Sequence, residues 1–310
     1  MNQKNLREAW GQALLGLARR NPDVVALEAD LGKSTRSILM QEAFPERYFQ
    51  MGIAEQNMVS TAAGLALAGK IPFVHSFAVF ASGRAYDQLR CSVCIPALPV
   101  RVCGSSSGLS DFGDGKTHQA VEDMALMRAL PNMTVLCPMD GIETALMVDA
   151  LESLPGPAYV RLNRNDLPFL WPEGRPYRVG EPLVLHEGSD AVVFACGVMV
   201  SKALEAAERL SAAGVSTRVV NVSTVKPLDE DAVRRLSSGM KAVVTAEEHS
   251  VIGGLGAAVL QALRRECGAP VETVGIRDSF GLSSADYPTL LERFGLTAAA
   301  VEAAVKGLLA

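Results

Sequence analysis

Short apolar runs alternate with longer Ala/Leu-rich stretches along almost the whole chain. Residues 24–27, 71–74, 100–103 and 134–137 are apolar runs of strand length, and residues 3–20, 54–69, 78–92, 119–130 and 140–153 read as helices between them. Residues 155–190 interrupt the pattern. They hold six of the 16 prolines and four glycines, which reads as a linker or crossing segment. Beyond them the alternation resumes, with strands predicted at 191–195, 217–222, 242–246 and 271–276, and helices at 202–213, 229–236, 255–266 and 297–309. Strands that are apolar throughout, rather than at every second position, are buried on both faces. That implies parallel sheets with helices on either side. The expectation is an α/β chain of two doubly wound domains, about 1–180 and 190–310.

Composition narrows the class. With 310 residues the chain can build two hydrophobic cores, and 49% apolar with 20% charged residues is a globular balance. A net charge of −5 and a pI near 5.5 leave no basic stripe for nucleic acid. A mean hydropathy of +0.19 prompts a look for membrane spans. The uncharged runs between Glu55 and Lys70 and between Lys70 and Arg84 both fall short of the roughly 18 residues a spanning helix needs. Lys4, Arg7 and Glu8 stand where a signal peptide would need its apolar core. The chain is therefore expected to be cytoplasmic, with no membrane contact and its six cysteines held as thiols.

Three segments carry candidate chemistry. In Gly52-Ile53-Ala54-Glu55-Gln56-Asn57-Met58 a carboxyl opens a strongly apolar helix. Glu55 is then either an exposed charge favoured by the helix dipole or a buried acid that keeps its proton. Pro72-Phe73-Val74-His75-Ser76-Phe77-Ala78-Val79-Phe80 concentrates aromatics in an aromatic-poor chain. Phe77 and Phe80, spaced i, i+3, can share a helix face, either as core packing or as a wall for a flat heteroaromatic ring. Residues 105–119 form a long, polar, Gly-rich loop between a strand and a helix, the place where α/β sheets bind ligands. The loop contains Asp114 and His118.

These segments, followed by Leu130-Pro131-Asn132-Met133-Thr134-Val135, resemble in order and spacing the transketolase group of thiamine-diphosphate enzymes. The resemblance covers most of the chain and implies a pyrimidine-binding domain of the thiamine-diphosphate-binding fold followed by a Rossmann-like transketolase C-terminal domain. It further implies that Glu55 matches the glutamate that hydrogen-bonds N1′ of the cofactor's aminopyrimidine and so makes the 4′-amino group a base. Phe77 and Phe80 match aromatics around that ring, and Asp30 matches an aspartate on the cofactor side. Arg7, Ser34 27 residues later, and Arg164 match a substrate-phosphate set, a role suited to the bidentate fork of arginine. Asp114 and His118 match residues that bind the donor's hydroxyls, and His118 can also assist proton transfer.

Some features depart from the family. Residues 102–105 read Val-Cys-Gly-Ser where relatives often have a histidine, the loop after them is about two residues longer by that resemblance, and Gly83 stands near an expected tyrosine. These bear on the choice of sugar more than on the reaction. Gly113-Asp114-Gly115 mimics a diphosphate and metal motif, but its window at 139–144 has no Asn to complete a hard-oxygen Mg²⁺ site. No metal ligand is expected in this chain. Ile252-Gly253-Gly254-Leu255-Gly256 reads as a tight helix-start turn, and Cys91 with Cys94 as a pair of packed thiols.

The resemblance thus implies the C-terminal subunit of a split transketolase. Thiamine diphosphate would sit at the interface with an N-terminal-section subunit, Mg²⁺ would be held by that partner, and two copies of each chain would assemble. The reaction would transfer a two-carbon ketol unit between sugar phosphates. Two alternative readings are the beta subunit of a 2-oxo acid dehydrogenase, which resembles this chain in length and in its two domains, and a 1-deoxyxylulose-5-phosphate synthase-like enzyme, which shares Asp-Gly-x-Thr-His-Gln. A transketolase specialised for branched or sulfonated sugars would share these motifs, as would a non-catalytic partner module that kept the fold.

Overall fold

The strand Val24–Glu28 shows how the apolar runs fold. Val24 and Ala26 pack on one side with Trp10, Leu14 and Met147, while Val25 and Leu27 pack on the other with Met58, Ala62 and Leu89. Alternate side chains point to opposite faces, so a strand between two helical layers must be apolar throughout. In the computed structural model, which describes residues 3–264 and 268–310, this strand belongs to a seven-stranded sheet. The order is Thr224–Lys226, Thr134–Leu136, Ala158–Arg161, Arg101–Ser105, Ile71–Phe77, Val24–Glu28, Tyr48–Gln50, parallel except for the first strand. A second sheet runs Val271–Ile276, Ala242–Ser250, Ala191–Ala195, Thr217–Asn221, Leu183–His186, with only the last strand antiparallel. This is the mixed α/β architecture the alternation predicts. Among the described residues no helix is long and apolar enough to cross a membrane.

The 155–190 segment is not a plain linker. Its prolines flank the strand Ala158–Arg161, which sits inside the first sheet, and the segment also contributes Asp166–Pro168 and Leu183–His186. Asp166–Pro168 pairs with Gln3–Asn5, so the helix predicted at 3–20 is Leu6–Arg20, capped by the Asn5 side chain. The predicted helix at 78–92 is π-helical at Phe80–Arg84 and Leu89–Cys94, with one α-helical turn between them. Phe77 is consequently the last residue of a strand and shares no helix face with Phe80. The predicted helix at 119–130 shortens to Asp123–Ala129. That at 255–266 is observed as Leu255–Leu263, and residues 265–266 lie outside the described residues.

The sheets do not have separate cores, because each of two apolar clusters includes residues of both. A buried polar network also joins them. Arg161 pairs with Asp123 at 3.0 Å and donates to the carbonyls of Ala120 and Glu248. Tyr159 donates to Asp123 at 2.7 Å. Glu248 accepts from the Leu109 amide at 2.9 Å and from Asn163 at 3.2 Å, so a second-sheet strand holds the start of the 105–119 loop.

Candidate active site

The candidate residues collect at the carboxyl ends of the first sheet's parallel strands, where α/β sheets bind ligands. Asp30 follows Val24–Glu28, Phe77 ends Ile71–Phe77, the polar loop follows Arg101–Ser105, and Arg164 follows Ala158–Arg161. Glu55 opens the helix Glu55–Leu67, just past Tyr48–Gln50.

Glu55 is 1% exposed, so it is not an exposed helix-start charge. Its two oxygens lie 3.1 and 3.0 Å from Nη1 of Arg84, whose guanidinium rests 4.6 Å from the centre of the Phe80 ring. Phe80 stacks on Phe77 with centroids 6.2 Å apart and planes 14° from parallel. His118 meets both rings edge-on, at 5.4 Å from Phe80 and 6.2 Å from Phe77. Its Nδ1 lies 3.0 Å from the Thr117 hydroxyl. Glu55, Arg84, Phe80, Phe77 and His118 therefore form one contiguous group: a carboxyl beside a flat aromatic wall, with an imidazole at the wall's edge. That donor set suits a planar heterocycle with a ring nitrogen facing the carboxyl. Arg84 was not singled out from the sequence, although it is the first Asp, Glu, Lys or Arg after Lys70 and ends the uncharged run.

A second group is cationic. Arg7 donates through Nη1 to the Ser34 carbonyl at 2.9 Å and through Nη2 to the Arg164 carbonyl at 3.3 Å. Arg164 in turn pairs with the buried Asp111. Burial, then the neighbouring Arg164 and Arg36, pull Arg7 down to about 10. Burial pushes Asp111 above the usual aspartate value, while Arg164 opposes that shift. Asp111 is a site residue that the motif match passed over, three positions before Asp114.

Asp30 and Asp114 are exposed and stand outside both groups. Asp30 has a left-handed backbone, φ 61°, and its amide donates to Gln50. With Ser34 and Tyr48 it lines a hollow of about 260 Å³. Asp114 precedes Gly115, whose φ of 74° and contact with the Ser283 side chain leave no room for a Cβ.

The helix-start turn at 252–256 is filled from within: the Glu247 carboxylate accepts from the amides of Leu255 and Gly256 at 2.6 and 2.8 Å. Cys94 is packed but Cys91 is exposed, so the two are not a packed pair. Among the described residues no group of three or more His, Cys, Asp or Glu is placed to hold a metal ion. The grouped residues Glu55, Phe77 and Phe80 thus fit the ring of the implied cofactor.

Comparison with known proteins identifies the family. Residues 2–169 match the family model described as transketolase, pyrimidine binding domain, and residues 180–301 match transketolase, C-terminal domain. A 6-deoxy-6-sulfo-D-fructose transketolase subunit of Clostridium sp. (strain MSTE9) is 42% identical over 94% of this chain and 91% of its own length. A putative transketolase C-terminal section of Methanocaldococcus jannaschii is 38% identical over 94% of this chain and 92% of its own. A solved split-gene transketolase, described as an inactive beta4 tetramer, superposes with a TM-score of 0.90 at 45% identity and covers 99% of both chains. The chain belongs to the transketolase family.

Proposed function

We propose that this chain is the C-terminal subunit of a split transketolase that moves a two-carbon ketol unit from a ketose to an aldose in complex with an N-terminal-section subunit. The observation that carries the reading is the contiguous Glu55–Arg84–Phe80–Phe77–His118 group, with the Arg7–Arg164 pair at the same edge of the sheet. Thiamine diphosphate, when bound, supplies the electron sink for breaking and making the carbon–carbon bond. Glu55 would hold the pyrimidine N1′, and Phe77 and Phe80 would pack the ring. Asp30 would face the cofactor from the neighbouring strand end.

His118 has one ring nitrogen, Nε2, without a hydrogen-bond partner among the described residues, so it can pass a proton to or from a substrate oxygen. Asp114 would take the donor's hydroxyls. Arg7, Ser34 and Arg164 would hold the substrate's anionic end. Mg²⁺ would be held by the partner, and we take the assembly to hold two copies of each chain in the cytoplasm. The Clostridium relative is described as acting on a sulfonated ketose, so such a ketose stands beside sugar phosphates as a candidate donor.

Calorimetric titration of thiamine diphosphate and Mg²⁺ into the mixed subunits tests the reading. Saturable binding that weakens at least tenfold in Glu55→Ala is expected, by the usual worth of one charged hydrogen bond. No binding by the mixed subunits, or unchanged binding by the variant, would overturn it.

A further inference from the structure

The cationic group carries an unusual counter-charge. Arg7 and Arg164 are linked through the Arg164 carbonyl, and Arg164 has its remaining guanidinium edge free of hydrogen-bond partners among the described residues. The third arginine nearby, Arg36, is closed by Glu8 at 3.0 Å. What remains is two guanidinium groups and the carboxylate of Asp111, which is 1% exposed and lies directly on Arg164. A buried charge is screened little by salt or water, so an incoming anion feels Asp111 along with the arginines. Asp114, exposed in the same loop, adds negative charge nearby. Asp111 by itself cancels the charge of one of the two guanidinium groups.

A phosphate monoester carries about −1.5 to −2 at pH 7. A sulfonate carries one negative charge and cannot gain a second. The second charge of the dianion gains attraction to both arginines but also repulsion from Asp111, so Asp111 offsets part of the advantage a dianion would otherwise hold. We propose that Asp111 is a specificity residue that lowers the advantage of a phosphate dianion over a singly charged anion, such as a sulfonate, at the Arg7–Arg164 site. This rests on the ketol-transfer reading above, and it adds a residue and a charge rule to it. Repulsion of a second elementary charge by a poorly screened carboxylate several ångströms away corresponds to about a tenfold change in the phosphate-to-sulfonate ratio.

The test uses the complex of both subunits with thiamine diphosphate and Mg²⁺. Turnover and calorimetric binding are measured for 6-deoxy-6-sulfofructose and for fructose 6-phosphate. The phosphate-to-sulfonate ratio is read in kcat/KM and in affinity. Asp111→Asn keeps the side chain's shape and an acceptor for Arg164. It should raise that ratio about tenfold, through KM and affinity for the phosphate, with kcat little changed. Asp111→Glu should restore the wild-type ratio, which loss of folding could not do. A ratio that Asp111→Asn leaves unchanged or lowers overturns the role of Asp111. A complex that turns over neither ketose contradicts the ketol-transfer reading, and the two binding affinities still decide whether Asp111 discriminates.

Discussion

Asp123→Ala should be among the most damaging single changes to the fold. The Asp123 carboxylate is fully buried and accepts from Arg161 Nε at 3.0 Å and from Tyr159 at 2.7 Å. Arg161 is 3% exposed, and its Nη2 ties Ala120 to Glu248 across the two sheets. Removing the carboxylate leaves a buried cation uncompensated, which costs about 3–5 kcal/mol, and orphans a buried hydroxyl as well. For a chain this long each kcal/mol lowers Tm by about 2 °C, so a fall of about 6–10 °C is expected by calorimetry. Asp149→Ala is the control. It removes an ion pair with Arg20 in which both side chains are more than half exposed, and it should cost less than about 0.5 kcal/mol. Because Glu248 holds the Leu109 amide, Asp123→Ala should also raise hydrogen exchange in the 105–119 loop. A loss below about 1 kcal/mol would refute the claim that this network fastens the two sheets.

Other expectations follow from single sites. His75 is fully buried, accepts from Trp10 Nε1 on Nε2 at 3.0 Å, and is pushed down to about 4 by burial. Its folded value lies below the ordinary one of about 6.5, so the stability it supports is present above that pH and lost as pH falls towards 4; His75→Leu should flatten that limb of the stability–pH curve by about 3 kcal/mol. Gly115→Ala forces a side chain into a left-handed backbone against Ser283, and should lower stability by about 1–2 kcal/mol and depress turnover by displacing His118; an unchanged melt and full turnover would contradict the fit seen there. Glu55→Gln should abolish ketol transfer while the far-UV circular dichroism spectrum stays native, and an active variant would remove Glu55 from its proposed role.

The two-sheet plan was legible because strands buried on both faces must be apolar throughout, as 24–27 and 191–195 are. The strand Ala158–Arg161 was hidden by Pro155 and Pro157, which read as loop but only bring the chain into the sheet. The three-residue strands Tyr48–Gln50 and Thr224–Lys226 are too short to carry a period. The π-helical turns after Phe77 were invisible because an apolar run has the same composition whichever way it coils, and such turns gather at functional sites. Glu55, Phe77, Phe80 and His118 were found by motif and do come together. Arg84 and Asp111 were missed because their meaning lies in partners distant in sequence, Glu55 and Arg164.

The central claim is that this chain supplies one side of a ketol-transfer site and a second subunit supplies the other. Its most direct test is an assay with thiamine diphosphate and Mg²⁺, using xylulose 5-phosphate or a sulfonated ketose as donor and ribose 5-phosphate as acceptor. The chain is assayed by itself and mixed with the proposed N-terminal-section partner. Transfer only in the mixture, lost in Glu55→Ala, is the predicted result. Full transfer by this chain without a partner, or none from either donor in the mixture, would contradict the account.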